Sequence, residues 1–192
     1  YGPAAPVPCP EDVDPAPVSA YGSSKAEAEA MVISACEGRG LRGAALRIFN
    51  VFGPGQPADS AYSAVVPVFA RALAEGFPPI VLGDGMQTRD FVPVDLVAEA
   101  FLRAARHEGG LLVNVGTGIE TSLLDLLASM QRIAETSLAP AHGPERTGDV
   151  RRSACDITRL QSTLRLPGEQ VFNRVETCLA DVLGQAGQVT GS

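Results

Sequence analysis

The run AALRIF, residues 44–49, lies between Gly43 and the turn Phe52-Gly53-Pro54-Gly55. So short and apolar a run, closed off by glycine on both sides, reads as a strand buried in a sheet rather than as a helix. Ahead of it, Ser19 can N-cap a helix whose small and apolar positions continue to about Cys36, where Gly38 and Gly40 stop it. Helix, glycine stop, buried strand and glycine turn is the rhythm of an α/β domain. The rhythm repeats downstream. From Ala64 to Glu75, Val65, Val66, Phe69 and Leu73 fall at helical spacing before Gly76, and Pro67 is tolerable in the first turn. The segments 79–82, 91–94 and 111–116 read as strands. Asp95 is expected to cap a helix to about Arg106, and Thr121 or Ser122 one that presents Leu123, Leu127 and Met130. Two more helices are expected near 156–164 and 171–184, with a frayed tail from Gln185. The prolines between Pro3 and Pro17 make the start of the chain a loop.

Composition narrows the function classes. At 192 residues the chain can build one core, or most of one domain with part of another. With 45% hydrophobic and 19% charged residues it reads as globular rather than disordered. A net charge of -7 argues against general binding to nucleic acid or to an anionic membrane. Small phosphorylated ligands stay open, because a few placed arginines suffice for them. Cys9, Cys36, Cys155 and Cys178 form no CxxC pair, so free thiols in a reducing cytoplasm are expected. His107 and His142 are the only histidines and lie far apart, so no metal site is expected. No apolar run approaches the ~18 residues a membrane span needs, and no signal peptide is evident.

Chemistry enters with VSAYGSSKAEAE, residues 18–29, where Tyr21 stands four positions ahead of Lys25. That spacing puts both side chains on one helical face, one turn apart. There an ammonium, together with the positive potential of the helix N-terminus, stabilises a phenolate. Such a tyrosine can take a proton from a sugar or alcohol hydroxyl and return it. YxxxK also arises by chance in helices, so the pair needs company.

The company is a set of segments in order: the loop with Glu11, then PVSAYGSSKAEAE, ALRIFNVFGPGQ, GDGMQTRDFVPVDLVAEA, VNVGTG and ERTGDVRRSACD. Together they resemble the extended short-chain dehydrogenase/reductase family, and within it the nucleotide-sugar epimerases, over nearly the whole chain to about residue 166. The resemblance implies the C-terminal part of a Rossmann-type parallel sheet plus a small α/β substrate-binding domain. The sheet part would take 1–60 and return at 90–115; the substrate part would occupy most of 61–184, with a tail at 185–192.

By the same resemblance, Tyr21 is the catalytic tyrosine and Lys25 holds the nicotinamide ribose of NAD. Ile48 and Phe49 approach the nicotinamide, and Asn50 lies near it and the substrate phosphates. Ala64 and Val65 pack on the sugar nucleotide, and Ile80 to Leu82 border the base. Arg89 and Arg146 clamp the diphosphate, with Arg151 and Arg152 as neighbouring candidates for the second of these, and Asp149 binds ribose hydroxyls. Guanidinium forks suit phosphate oxygens, so residue type and implied role agree. The family usually has Pro where Thr147 stands. Ser153 walls the sugar pocket, and its small side chain leaves room for an N-acetyl group where a tyrosine would fill the space.

The activity implied is NAD-dependent 4-epimerisation of a UDP-hexose or UDP-N-acetylhexosamine through a 4-keto sugar. The alternatives are a dTDP-sugar 4,6-dehydratase and a catalytically inactive fragment. The family's GxxGxxG fingerprint is not in this sequence, and its substrate-O4 Ser/Thr position falls ahead of Tyr1. The chain is therefore expected to be the C-terminal portion of a longer cytoplasmic enzyme, a homodimer when whole. By itself it is expected to hold NAD poorly and to be inactive.

Overall fold

A computed structural model describes residues 1–59, 64–146, 148–166 and 171–190. Helix α1 (Ala20–Arg39) starts where Ser19 turns extended and its Oγ accepts from the Gly22 N–H at 3.1 Å. It ends where Gly40 takes up φ 62°, a left-handed conformation that favours glycine. There follow β1 (Gly43–Ile48), β2 (Asn50–Phe52), α2 (Val65–Ala74), β3 (Ile80–Leu82), β4 (Thr88–Arg89) and β5 (Phe91–Pro93). The chain continues through α3 (Val94–Ala104), β6 (Gly110–Val115), β7 (Thr121–Ser122), α4 (Leu123–Ile133), β8 (Ala141–Gly143), α5 (Thr158–Leu164) and α6 (Val171–Thr190). The class is α/β. Among the described residues, no helix is long and apolar enough to cross a membrane.

Pairing is mostly parallel. β1 runs beside β6 from Gly43↔Gly110 to Ile48↔Val115, β2 beside β5, and β3 beside β8; β4 and β7 are antiparallel. At Phe49 the strand changes neighbour. The Phe49 N–H still bonds to Val115 O at 3.0 Å, whereas the Asn50 N–H bonds to Asp90 O at 3.0 Å. Handing one strand from β6 to β5 opens a crevice at the changeover, where Ile48, Phe49 and Asn50 sit.

Two apolar cores flank this point. One joins Phe52, Phe69, Val81, Leu126, Met130 and Leu179, drawn from β2, α2, β3, α4 and α6. The other joins Val92, Leu96, Ala100, Val113, Val115 and Leu160, drawn from β5, α3, β6 and α5. Because side chains alternate along a strand, neighbours on β5 serve both, with Phe91 in the first core and Val92 in the second.

Three expectations need correction. β1 is half-buried rather than buried, because among the described residues it pairs with β6 alone. Asp95 is not the cap of α3: Pro93 holds that position, and Asp95 lies in the first turn, where a carboxylate still suits the helix N-terminus. The chain from Gln185 is not frayed. α6 continues to Thr190 because Leu183 and Ala186 pack against the first core and Gln185 Oε1 accepts from the Gly55 N–H at 2.8 Å.

Candidate active site

α1 and the strand changeover form two sides of a cavity of about 910 Å³. Tyr21 and Lys25 line it from α1, and Ile48, Phe49 and Asn50 from the changeover. Ser153, half-buried, lines it from the segment 148–155. The Lys25 Nζ lies 5.4 Å from the centroid of the Tyr21 ring, as a pair four apart on one helix should. The Tyr21 side chain is 74% exposed, so its hydroxyl is open to a ligand.

Arg47 ties the walls together. From near the C-terminal end of β1 its Nε and Nη2 donate to Glu29 of α1 at 2.7 and 2.6 Å, while Nη1 donates to the Glu11 and Val13 carbonyls. The guanidinium also lies 4.6 Å from the centroid of the Tyr1 ring. The bidentate bond to Glu29 pushes the Arg47 pKa up further, against the opposing effect of burial. The loop ahead of α1 is fixed by Asn114 of β6. Its N–H donates to Glu11 Oε1 at 2.8 Å, its side-chain Nδ2 donates to Cys9 O at 2.9 Å, and its Oδ1 accepts from the Tyr1 hydroxyl.

The segment 148–155 is held from beneath by Asp90, a fully buried carboxylate. Its Oδ1 accepts from the Thr117 N–H at 2.8 Å and the Thr117 hydroxyl at 2.6 Å. Its Oδ2 accepts from Gly118 N–H at 2.9 Å, and from the Cys155 N–H and thiol at 3.3 Å each. Burial first, and the nearby Asp90 carboxyl second, push the Cys155 thiol well up. Gly116 permits this packing, since a Cβ there would run into the Cys155 sulfur and lie 2.7 Å from Asp90 Oδ2. All four cysteines are free and buried.

The other nominated residues sit apart from the cavity wall. Arg89 donates through Nη1 to Thr88 O and Val150 O, both at 2.6 Å, and through Nη2 to Asp149. The proposed phosphate clamp and ribose binder thus meet each other. Arg146 is exposed and contributes its carbonyl to a turn with the Asp149 N–H at 3.1 Å. Ala64 is the N-cap of α2, and Val65 packs against the first core. Ile80 and Leu82 face outward on β3 on either side of buried Val81. Thr147 and residues 60–63, just ahead of Ala64, lie outside the described residues.

Sequence reasoning missed Arg47 and Asp90, and named Arg152 only as a neighbour of Arg146. A signal existed for the first two. Arg47 is a charge inside an otherwise apolar strand, and such a charge must be paired when the strand packs. Asp90 precedes an apolar strand and answers the glycine-rich VNVGTG turn, whose N–H groups need an acceptor. Arg152 lines the cavity while its Nε and Nη2 donate to Glu120 at 2.9 and 2.6 Å. That pairing holds the Glu120 carboxyl below the usual range. Nothing in the run Arg151-Arg152 says which of the two turns inward.

A tyrosine–lysine pair on a helix thus stands at a cavity beside the point where a parallel strand changes neighbour, in an α/β fold. The chain belongs to the NAD dependent epimerase/dehydratase family, which matches residues 1–116. It is 36% identical over 165 residues to a UDP-glucose 4-epimerase of Mycolicibacterium smegmatis, an alignment covering 85% of this chain and 52% of that protein. Among solved structures, a UDP-N-acetylglucosamine 4-epimerase of Methanobrevibacter ruminantium, in complex with UDP-N-acetylmuramic acid, superposes with a TM-score of 0.89 at 31% identity. That match covers 100% of this chain and 60% of the other. A UDP-glucose 4-epimerase of Thermotoga maritima with UDP-glucose gives a TM-score of 0.88 at 30% identity, covering 98% of this chain and 60% of that one. The chain therefore spans between half and two thirds of the length of these relatives.

Proposed function

We propose that the protein serves the NAD-dependent 4-epimerisation of a UDP-hexose or UDP-N-acetylhexosamine. The observation that carries this reading is the placement of Tyr21, Lys25, the Ile48–Asn50 changeover and Ser153 around one cavity. Tyr21 takes the proton from the sugar O4 and later returns it, with the Lys25 ammonium close enough to its ring to stabilise the phenolate. The fit to the nicotinamide end of NAD rests on the same cavity, which is lined both by an ammonium suited to ribose hydroxyls, that of Lys25, and by Ile48 and Phe49. NAD, when bound, would supply a hydride acceptor for C4 and give the hydride back to the other face. Ser153 leaves volume beside the sugar, which supports acceptance of an N-acetyl group. The two apolar cores support a division into a cofactor-binding part and a substrate-binding part.

Tyr21→Phe tests the reading, because it removes one oxygen from an exposed position and leaves the fold unchanged. With UDP-glucose and NAD, interconversion at C4 is expected to fall about 10²–10⁴-fold, the usual range for losing a general acid/base group. UDP binding should stay as in the wild type. Full activity in the variant, or a 4-keto-6-deoxy product from the wild type, would overturn the assignment.

A further inference from the structure

Given the reading of Tyr21 as the acid/base group, on which this rests, we propose that Glu29 and Arg47 are positioning residues for Tyr21. Their ion pair sets how α1 lies against β1, and so where the Tyr21 hydroxyl stands relative to Ile48 and Phe49. Glu29 continues the row of Tyr21 and Lys25 along α1, at spacings of four. Arg47 immediately precedes Ile48 and Phe49, at the end of β1 where the strand changes neighbour. The fork of Arg47 onto Glu29, at 2.7 and 2.6 Å, therefore joins the helix that carries the phenol to the strand that lines the other side of the cavity.

α1 needs such a tie because apolar packing supplies little. Neither core draws a residue from α1, and among the described residues of the helix Cys36 alone is buried. Its apolar positions are mostly alanine, and Met31 points out to solvent at 74% exposure. Cys36 seats the C-terminal end of the helix on Gly43 and Gly110, where an added Cβ would come within 2.9 Å of its Sγ and 3.0 Å of its Cβ, respectively. That seat alone would leave the helix free to tilt. Tyr21 lies fifteen residues from Cys36. At ~1.5 Å per residue this is about 22 Å, so a tilt of about 5° would carry the ring by about 2 Å. A misplacement of about 1 Å at a reacting group can cost about 10²-fold in rate. The Glu29–Arg47 pair closes that freedom. The two side chains are shielded, with Arg47 14% and Glu29 18% exposed, and a two-bond fork fixes orientation as well as distance. Because Arg47 Nη1 also donates to the Glu11 and Val13 carbonyls, the same guanidinium holds the loop that leads into α1.

Three measurements on the wild-type chain, Glu29→Gln, Arg47→Lys and Glu37→Gln test this: turnover of UDP-glucose with NAD, calorimetric titration with UDP, and amide hydrogen exchange. Glu29→Gln keeps the shape and removes the charge, whereas Arg47→Lys keeps the charge and removes the fork. Each is expected to lower kcat about 10- to 100-fold, with KM and UDP affinity unchanged. Each should also speed exchange of amides 22–28 by about 10-fold or more and leave amides 33–36, beside the Cys36 seat, unchanged. Glu37→Gln, at an exposed position near the end of α1, should match the wild type throughout. Wild-type kcat in Glu29→Gln and Arg47→Lys, with Tyr21→Phe inactive, would overturn the positioning role and leave the functional reading standing. A fall in UDP affinity that matches the fall in kcat would overturn it too, since that marks general loosening. Tyr21→Phe at wild-type kcat would instead take down the functional reading. If the wild-type chain does not turn over UDP-glucose, exchange alone decides the pair: acceleration confined to 22–28 upholds it, and uniform or absent acceleration refutes it.

Discussion

Asp90→Asn exposes how the site is held together. The substitution keeps shape and volume but replaces one acceptor oxygen by a donor NH2 in a fully buried position. At the Oδ2 position the new amide would face three donors, from Gly118 N–H and from the N–H and thiol of Cys155. The better orientation puts NH2 at the Oδ1 position, where the Thr117 hydroxyl can turn to accept but the Thr117 N–H cannot. One buried N–H is orphaned, at about 1–3 kcal/mol, and the remaining bonds lose their charge assistance, so the expected loss is about 2–4 kcal/mol. Against a typical domain stability of about 5–15 kcal/mol this is a large fraction. Urea unfolding followed by circular dichroism gives the difference from the midpoint at unchanged slope. UDP affinity should fall as well, since Asp90 anchors the segment carrying Arg152 and Ser153. A loss below about 0.5 kcal/mol would refute the reasoning, because surface-like tolerance at this position is incompatible with five donors converging on one carboxylate.

Two further expectations follow from the same segment. Ser153→Tyr should narrow the cavity beside the sugar and weaken UDP-N-acetylglucosamine relative to UDP-glucose by about 10-fold or more, as a pocket that discriminates by volume does; competition titration with the two sugars reads this, and an unchanged ratio would remove Ser153 from the wall. The Arg151 guanidinium, with help from the Met86 N–H, holds the Asp84 carboxyl down to about 2, against an ordinary 3.8. Since the folded value lies below the unfolded one, the pair's contribution is fully present above about pH 3.8 and is lost as pH falls through about 2. Carboxyl carbon shifts of Asp84 followed by NMR should show that low midpoint, and Arg151→Ala should move it back up; a midpoint near 3.8 in the unmodified chain would contradict the pairing.

Much of this was legible in the residues. Ser19 announced α1, Gly40 its end, and the Tyr21–Lys25 spacing a shared helical face, because these depend on one turn of backbone and its caps. The order of helices and strands followed from local periodicity in the same way. The α6 terminus did not, because Leu183, Ala186 and Gln185 are ordered by packing and by a bond to Gly55, which is distant in sequence. Nor did the partners of the charged groups. Arg89, nominated for phosphate, is bonded to Asp149, while Arg152 rather than Arg146 reaches the cavity. Arginine side chains are long and promiscuous, and which carboxylate each meets depends on how segments 84–90, 120 and 148–155 are brought together. By itself the sequence determined the α/β order and the meeting of Tyr21 with Lys25 on one helical face, since both are set by neighbours along the chain. Only the tertiary structure decided which charges face the cavity, since ion pairs form across space between residues that no local spacing relates.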